Sequence, residues 1–302
     1  MSLVLRVSSS WSGFSNIKRV FIFGDSYSSI FHVHDGFSES EHPTPLQPLG
    51  TPFPGNTWNE EGLPNWVGHM ITKYSPGPRF NPSRVEQDEA YRADPLLIYD
   101  YACGGDRVDG VKRQIQRLFL PIVGTKPNWA PWNESNSLFV TSIGINDCAT
   151  LSSEDHAASI EVMMGLQEEL YAAGARNFCF FDIPPIEKSP AIAERISRYG
   201  LDGDVDETMF QKWNRVLLQE IQKFSEKHPD CTVLLFSMHH VFTVILEDAQ
   251  TYGFPPGHES RRGGTFWVDH VHPSSKVHDL LAHFLTDFLS VPAKVTTDEP
   301  VP

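Results

Sequence analysis

Phe21-Ile22-Phe23-Gly24-Asp25-Ser26-Tyr27 is the stretch on which the reading of this sequence turns. Four residues of buried-strand type, Val20 to Phe23, run without a break into Gly24, Asp25 and Ser26. A continuous apolar run bounded by turn residues is the pattern of a strand covered on both faces, as in a parallel sheet between helices. In such sheets ligands gather at the carboxyl ends of the strands, so Ser26 is expected at the mouth of a crevice, placed as a nucleophile. The plainer alternative is a serine that only caps a following helix.

Working outward, runs of the same kind recur at Leu96 to Tyr101, Leu138 to Ile143, Phe178 to Ile183 and Thr232 to Phe236, giving five core strands. Helix-period segments alternate with them. Met163, Met164, Leu170 and Tyr171 follow Ile160, with Ser152 and Asp155 as a capping-box-like start and Gly174 at the stop. Phe210, Trp213, Leu217, Ile221 and Phe224 form a second stripe, and Val277 to Leu289 the most regular one. A shorter helix is expected over Trp66 to Tyr74, after Pro64. Strands alternating with helices predict an α/β protein with a parallel sheet. No boundary between domains stands out, so residues 1–302 are read as one domain, with 1–17 and 293–302 peripheral.

Thirty-eight acidic against 24 basic residues give a formal charge of -14, which repels phosphate backbones and argues against nucleic acid as a partner. The most apolar stretch, Val233 to Leu246, carries two histidines and is too short to span a bilayer. Met1 to Arg6 lacks the apolar run of a secretory signal, so an intracellular protein is expected, or a secreted one if the sequence is that of a processed form. Cys103, Cys148, Cys179 and Cys231 form no C-x-x-C pair and read as free thiols.

A serine hydroxyl is a weak nucleophile until a base takes its proton, so Ser26 demands a histidine and a carboxylate to orient it. Asp269-His270-Val271-His272-Pro273 supplies both on one loop. Pro273 disfavours helical geometry at His272, and Asp269, three residues earlier, can curl back to the Nδ1 side of its ring. His270 is the rival base, in poorer geometry for Asp269. Metal readings of His270-x-His272 or His32-x-His34 lack further ligands at recognisable spacing. Attack on an ester also needs donors for the oxyanion. Candidates stand at two further strand ends, Gly104-Gly105-Asp106 and Gly144-Ile145-Asn146-Asp147.

With these residues the chain resembles the GDSL, or SGNH, hydrolases. Gly24-Asp25-Ser26 is similar to the nucleophile block, Gly105 to the glycine of the second, Gly144-Ile145-Asn146-Asp147 to the third, and Asp269-His270-Val271-His272 to the last. Tyr27 stands where the family's name has leucine, a variation read as lying outside the chemistry. The resemblance implies a three-layer α/β/α fold, flavodoxin-like with a five-stranded parallel sheet, and activity without metal or organic cofactor. It further implies Ser26 as nucleophile, His272 as base and then acid, Asp269 as its orienter, and the Ser26 N–H, the Gly105 N–H and the Asn146 side chain as oxyanion hole.

Phe23-Gly24-Asp25-Ser26-Tyr27, Pro64-Asn65-Trp66 and Tyr101 to Gly105 look most like fungal carbohydrate esterases of family 16, which implies short-acyl esters of sugars or small metabolites as substrates. Sugars are held by aromatic faces. Trp129, Trp132 and Trp267 are therefore candidate substrate contacts, with Trp58 beside them. Lipase, lysophospholipase or acyltransferase activity on the same fold, or a non-catalytic carbohydrate-binding role, are the alternatives. An α/β-hydrolase elbow fails because Ser28 stands where glycine is needed, and a phosphate loop fails at Val111.

Overall fold

All five apolar runs form parallel strands, joined by a sixth. The computed structural model describes residues 1–30, 36–150, 155–192 and 207–291. Its strands are β1 (Leu3–Arg6), β2 (Arg19–Gly24), β3 (Leu97–Asp100), β4 (Ser137–Ser142), β5 (Asn177–Phe181) and β6 (Thr232–Phe236). They lie in the order β1-β6-β5-β4-β2-β3, all neighbours parallel except β1 on β6. The five parallel strands have the flavodoxin-like order, in which the chain reverses direction across the sheet between β2 and β4. The sheet as a whole is six-stranded and mixed, which corrects the purely parallel expectation. Leu3 and Val4 are exposed, so β1 has no continuous apolar run to betray it. Residues 1–17 are more than a peripheral arm, since Trp11 and Phe14 join the core.

Eight α-helices are described: α1 (Trp66–His69), α2 (Glu89–Ala93), α3 (Val108–Arg113), α4 (Ile145–Thr150), α5 (His156–Ala172), α6 (Met209–Lys227), α7 (Met238–Glu247) and α8 (Ser275–Ser290). Helices α3, α5 and α6 pack together, as do α1, α7 and α8. The period-two geometry of a strand explains how β5 serves both layers. Phe178 and Phe180 meet Phe224 of α6 at ring distances of 5.1 and 6.3 Å, whereas Phe181 points the other way to Trp66 of α1 at 5.3 Å. Each such ring contributes ~2–3 kcal/mol by leaving water.

The starts of α1, α7 and α8 follow capping chemistry, whereas at α5 the N-cap residue Asp155, expected to begin a capping box, makes no side-chain cap bond. Asn65 accepts the Val67 N–H, Ser237 that of His240 and Ser274 that of Val277, each satisfying a donor the helix leaves unpaired. Within the apolar stretch Val233 to Leu246 only the first four residues are strand, as part of β6, and α7 begins at Met238. Helix α1 is a single turn continued by a π turn over Met70–Tyr74. His32, His34, Ser152 and residues 293–302 lie outside the described residues. No described helix is long and apolar enough to cross a membrane.

Candidate active site

Ser26 follows β2 at the point where the sheet order reverses, flanked by the segment after β4. The Ser28 and Ser29 N–H groups both bond the Asp25 carbonyl, at 3.1 and 3.0 Å, and the Asp25 side chain accepts the Tyr27 N–H at 3.1 Å. These bonds make a tight turn with Ser26 in it, and the next described helix begins only at Trp66, so Ser26 caps no described helix. Asn65 and Trp66 brace the turn from outside. Asn65 Nδ2 donates to the Ser28 and Ser29 carbonyls, and Trp66 Nε1 to Ser28 Oγ.

The loop before α8 brings its histidine to this turn. His272 Nε2 lies 2.9 Å from Ser26 Oγ and His272 Nδ1 lies 2.7 Å from Asp269 Oδ2. Asp269 Oδ1 accepts the Val271 and His272 N–H groups, both at 2.8 Å, so one carboxylate fixes both the loop and the ring. Burial pushes the Asp269 carboxyl up, but the His272 ring and the two backbone N–H groups outweigh it and hold the group well below the usual carboxylate range. His270 does not reach Ser26. Its ring is half exposed and stands 3.8 Å from Asp269 Oδ1.

Tyr27, read as lying outside the chemistry, has a structural part in this arrangement. Its hydroxyl donates to the Val271 carbonyl at 2.7 Å, tying the serine turn to the histidine loop.

Three donors face the same cleft, for Ser26, Gly105 and Asn146 all line it. Neither the Ser26 nor the Gly105 N–H has an acceptor among the described residues. Gly105 sits at φ +80, a conformation that costs a side-chain-bearing residue and that glycine takes freely. Asn146 Nδ2 gives one of its two N–H groups to the Asp106 carbonyl at 2.9 Å, leaving the other for an anion. Gln114 was not singled out from sequence. Its Nε2 donates to the Gly24 carbonyl and to Asp106 Oδ2, both at 2.8 Å, and its Oε1 accepts the Gly24 N–H, so it locks the end of β2 to the Gly105 loop. Nothing local marks a glutamine ninety residues from Gly24.

The cleft, about 380 Å³, has an apolar wall of Ile145, Ala149, Ile186, Ile192, Met209 and Phe210, with Trp58 and His270 among its other residues. The expected tryptophan contacts need correction. Trp132 is buried against Phe21 and Phe139, and Trp267 against Phe242 and Phe266. Trp129 packs on His42, away from the cleft. Large rings in loops that fold back over a core bury themselves for the same reason that core rings do.

A second serine, histidine and aspartate also meet. His69 Nε2 lies 2.9 Å from Ser275 Oγ, and His69 Nδ1 lies 3.3 Å from Asp279 Oδ1, whose other oxygen pairs with Lys73 at 2.9 Å. Burial pushes His69 down to about 4 and the neighbouring His278 to about 3, so both are neutral at ordinary pH.

A family model described as GDSL-like lipase/acylhydrolase matches residues 20–285. The chain is 28% identical over 290 residues to an acetylesterase from Thermothelomyces thermophilus, covering 89% of this chain and 87% of that protein. It is 23% identical over 301 residues to the secreted effector protein SseJ of Salmonella typhimurium, covering 91% of this chain and 64% of that one. Among solved structures, a GDSL-like lipase from Parabacteroides merdae superposes with a TM-score of 0.51 at 12% identity, over 95% of this chain and 99% of that one, a likeness of fold alone.

Proposed function

From the premise that the chain belongs to the GDSL-like lipase/acylhydrolase family and is a carboxylic-ester hydrolase, we propose that it cleaves short-acyl esters of sugars or small metabolites through an acyl-enzyme on Ser26. The observation that carries this reading is the 2.9 Å contact of Ser26 Oγ with an imidazole whose far nitrogen meets a carboxylate. Ser26 Oγ attacks the ester carbonyl carbon as its proton passes to His272 Nε2. The carbonyl oxygen becomes an anion and takes hydrogen bonds from the Ser26 and Gly105 N–H groups and the Asn146 amide. The intermediate collapses by breaking the bond to the alcohol oxygen, which leaves with the proton from His272. Water then gives a proton to His272, attacks the acyl-enzyme and releases the acid, and Ser26 recovers its proton. Asp269 stays ionised throughout, orienting the ring and stabilising the imidazolium.

The acetylesterase relative supports a short acyl group. The apolar wall from Ile145 to Phe210 favours a second reading, longer acyl chains. A series of p-nitrophenyl esters from acetyl to dodecanoyl, run beside acetylated oligosaccharides, separates them. The short-acyl reading expects acetyl to butyryl esters to be fastest and acetylated sugars to turn over. A maximum at octanoyl or beyond would discard it while leaving the role of Ser26 in place.

A further inference from the structure

The indole of Trp58 stacks on the imidazole of His272, with ring centroids 5.2 Å apart and planes 27° from parallel. Its edge rests on Gly104, where an added methyl group would overlap the indole Cζ2, Cε2 and Nε1. Gly104 directly precedes Gly105. One side chain therefore touches both the ring that takes the serine proton and the loop that carries an oxyanion donor.

The segment bearing the indole is anchored on its own account. Thr57 Oγ1 and Asn59 Nδ2 donate to the Leu63 carbonyl at 3.0 and 2.9 Å, and Glu60 Oε2 accepts the Ser275 N–H at 2.7 Å. That last bond fixes the Trp58 loop to the first residue of α8, three residues beyond His272. With 41% of its surface exposed, Trp58 contributes less to the core than the fully buried tryptophans do, so burial alone does not explain its placement.

We propose that Trp58 is a positioning residue for ester cleavage, holding the His272 ring in register with Ser26 and stabilising, through its π face, the imidazolium that forms as Ser26 attacks. The inference rests on His272 being the base. A cation over an aromatic face within ~6 Å is favoured by enough to change an equilibrium from about twofold to about thirtyfold, and the neutral ring gains far less. The difference therefore appears when the proton moves. Other groups around His272 are Asp269 at Nδ1, His270 beside it in the chain, the buried Asp25 at the end of β2, Tyr27 with its ring 6.2 Å away, and His278 on α8. All of them are unchanged in the variants below.

Hydrolysis of ethyl acetate, which offers no ring for an indole to bind, is followed by acid release across pH for the wild type, Trp58→Phe and Trp58→Leu. Trp58→Leu is expected to lower kcat roughly tenfold, to leave KM within about twofold, and to move the acid limb of kcat down by roughly 0.5 to 1 pH unit. The direction follows because an imidazolium without its aromatic face gives up its proton at lower pH. Trp58→Phe restores most of the rate and of the limb. Gly104→Ala, which displaces the indole, reproduces the loss with Trp58 present and adds little to Trp58→Leu.

A second readout needs no turnover. In the Ser26→Ala protein, tryptophan emission should fall on acidification as the stacked imidazole gains charge, and this component should be missing from both Trp58→Phe and His272→Ala. A change in KM alone would make Trp58 a substrate platform and overturn the inference, as would an unmoved acid limb or additive effects of Gly104→Ala and Trp58→Leu. An active His272→Ala protein would instead remove the underlying base assignment. An inactive one beside an unaffected Trp58→Leu enzyme would remove this inference alone.

Discussion

Ser26, His272 and Asp269 meet at 2.9 and 2.7 Å, and Ser275, His69 and Asp279 meet at 2.9 and 3.3 Å, so by residue type and spacing the two sets look alike. They differ in where the protons go. Ser275 Oγ donates to the Pro64 carbonyl at 2.6 Å, so its bond to His69 must run from Nε2–H to the hydroxyl oxygen. With Nε2 protonated on a neutral ring, His69 Nδ1 carries no proton toward Asp279, which Lys73 compensates instead. At Ser26 the relation is reversed: Nδ1–H of His272 donates to the ionised Asp269 and leaves Nε2 as an acceptor aimed at the hydroxyl. The Ser26 set opens on a cleft with N–H donors that have no acceptor among the described residues, whereas Ser275 and His69 are buried in the seam between α1 and α8. Geometry alone does not make a nucleophile; the direction of each hydrogen bond and room for an anion decide it.

The widest gap between the sets should appear on deletion. Ser26→Ala and His272→Ala are each expected to reduce kcat by at least ~10³-fold, and the double variant by no more than about the larger single effect, because they act as one unit. Ser275→Ala should leave kcat within about twofold. Equal losses at Ser26 and Ser275 in steady-state assays would erase the distinction drawn above. Next in size, Asn146→Ala should lower kcat about 10²-fold to 10³-fold with little change in KM. An effect confined to KM would move Asn146 from the anion to ground-state binding.

The buried set should show itself in stability. Ser275→Ala leaves the His69 donor without a partner and is expected to cost about 1–3 kcal/mol in urea unfolding. His69 bears on pH dependence as well. Its folded pKa lies below the unfolded value of about 6.5, so the native state binds fewer protons there. Its share of stability is full above about 6.5 and is lost as pH falls toward about 4. Urea midpoints measured over that window should fall less steeply for His69→Gln than for the wild type, and parallel slopes would contradict the assignment. The smallest effect is expected at Tyr27→Phe, about 1 kcal/mol for one hydroxyl bond, with a modest loss of kcat as the histidine loop loosens.

Much of this was legible in the sequence, and the parts that were not share a cause. The five parallel strands announce themselves because each is apolar on both faces, and Asp269-x-x-His272 because three residues and a proline confine its geometry. Leu3–Arg6 is short and half exposed, so no periodicity distinguishes it from a loop. The destination of a loop tryptophan depends on what it folds against, which is why Trp132 and Trp267 entered the core and Trp58 the cleft. Gln114 and the His69–Ser275 pair act across 90 and 206 positions, distances over which local pattern carries no information.

The antiparallel strand at the edge of the sheet matters for how the molecule behaves in company. Leu3–Arg6 covers the outer side of β6, and Ser8 and Ser2 add bonds to Thr232 and Ser237. A chain trimmed past Arg6 would keep every residue of the cleft, yet it would bare Val233, Leu234 and Leu235 as an open row of backbone donors and acceptors. Such an edge is a template for a neighbouring molecule. On this ground a chain lacking Leu3–Arg6 is expected to self-associate more readily than the full one, which light scattering would register.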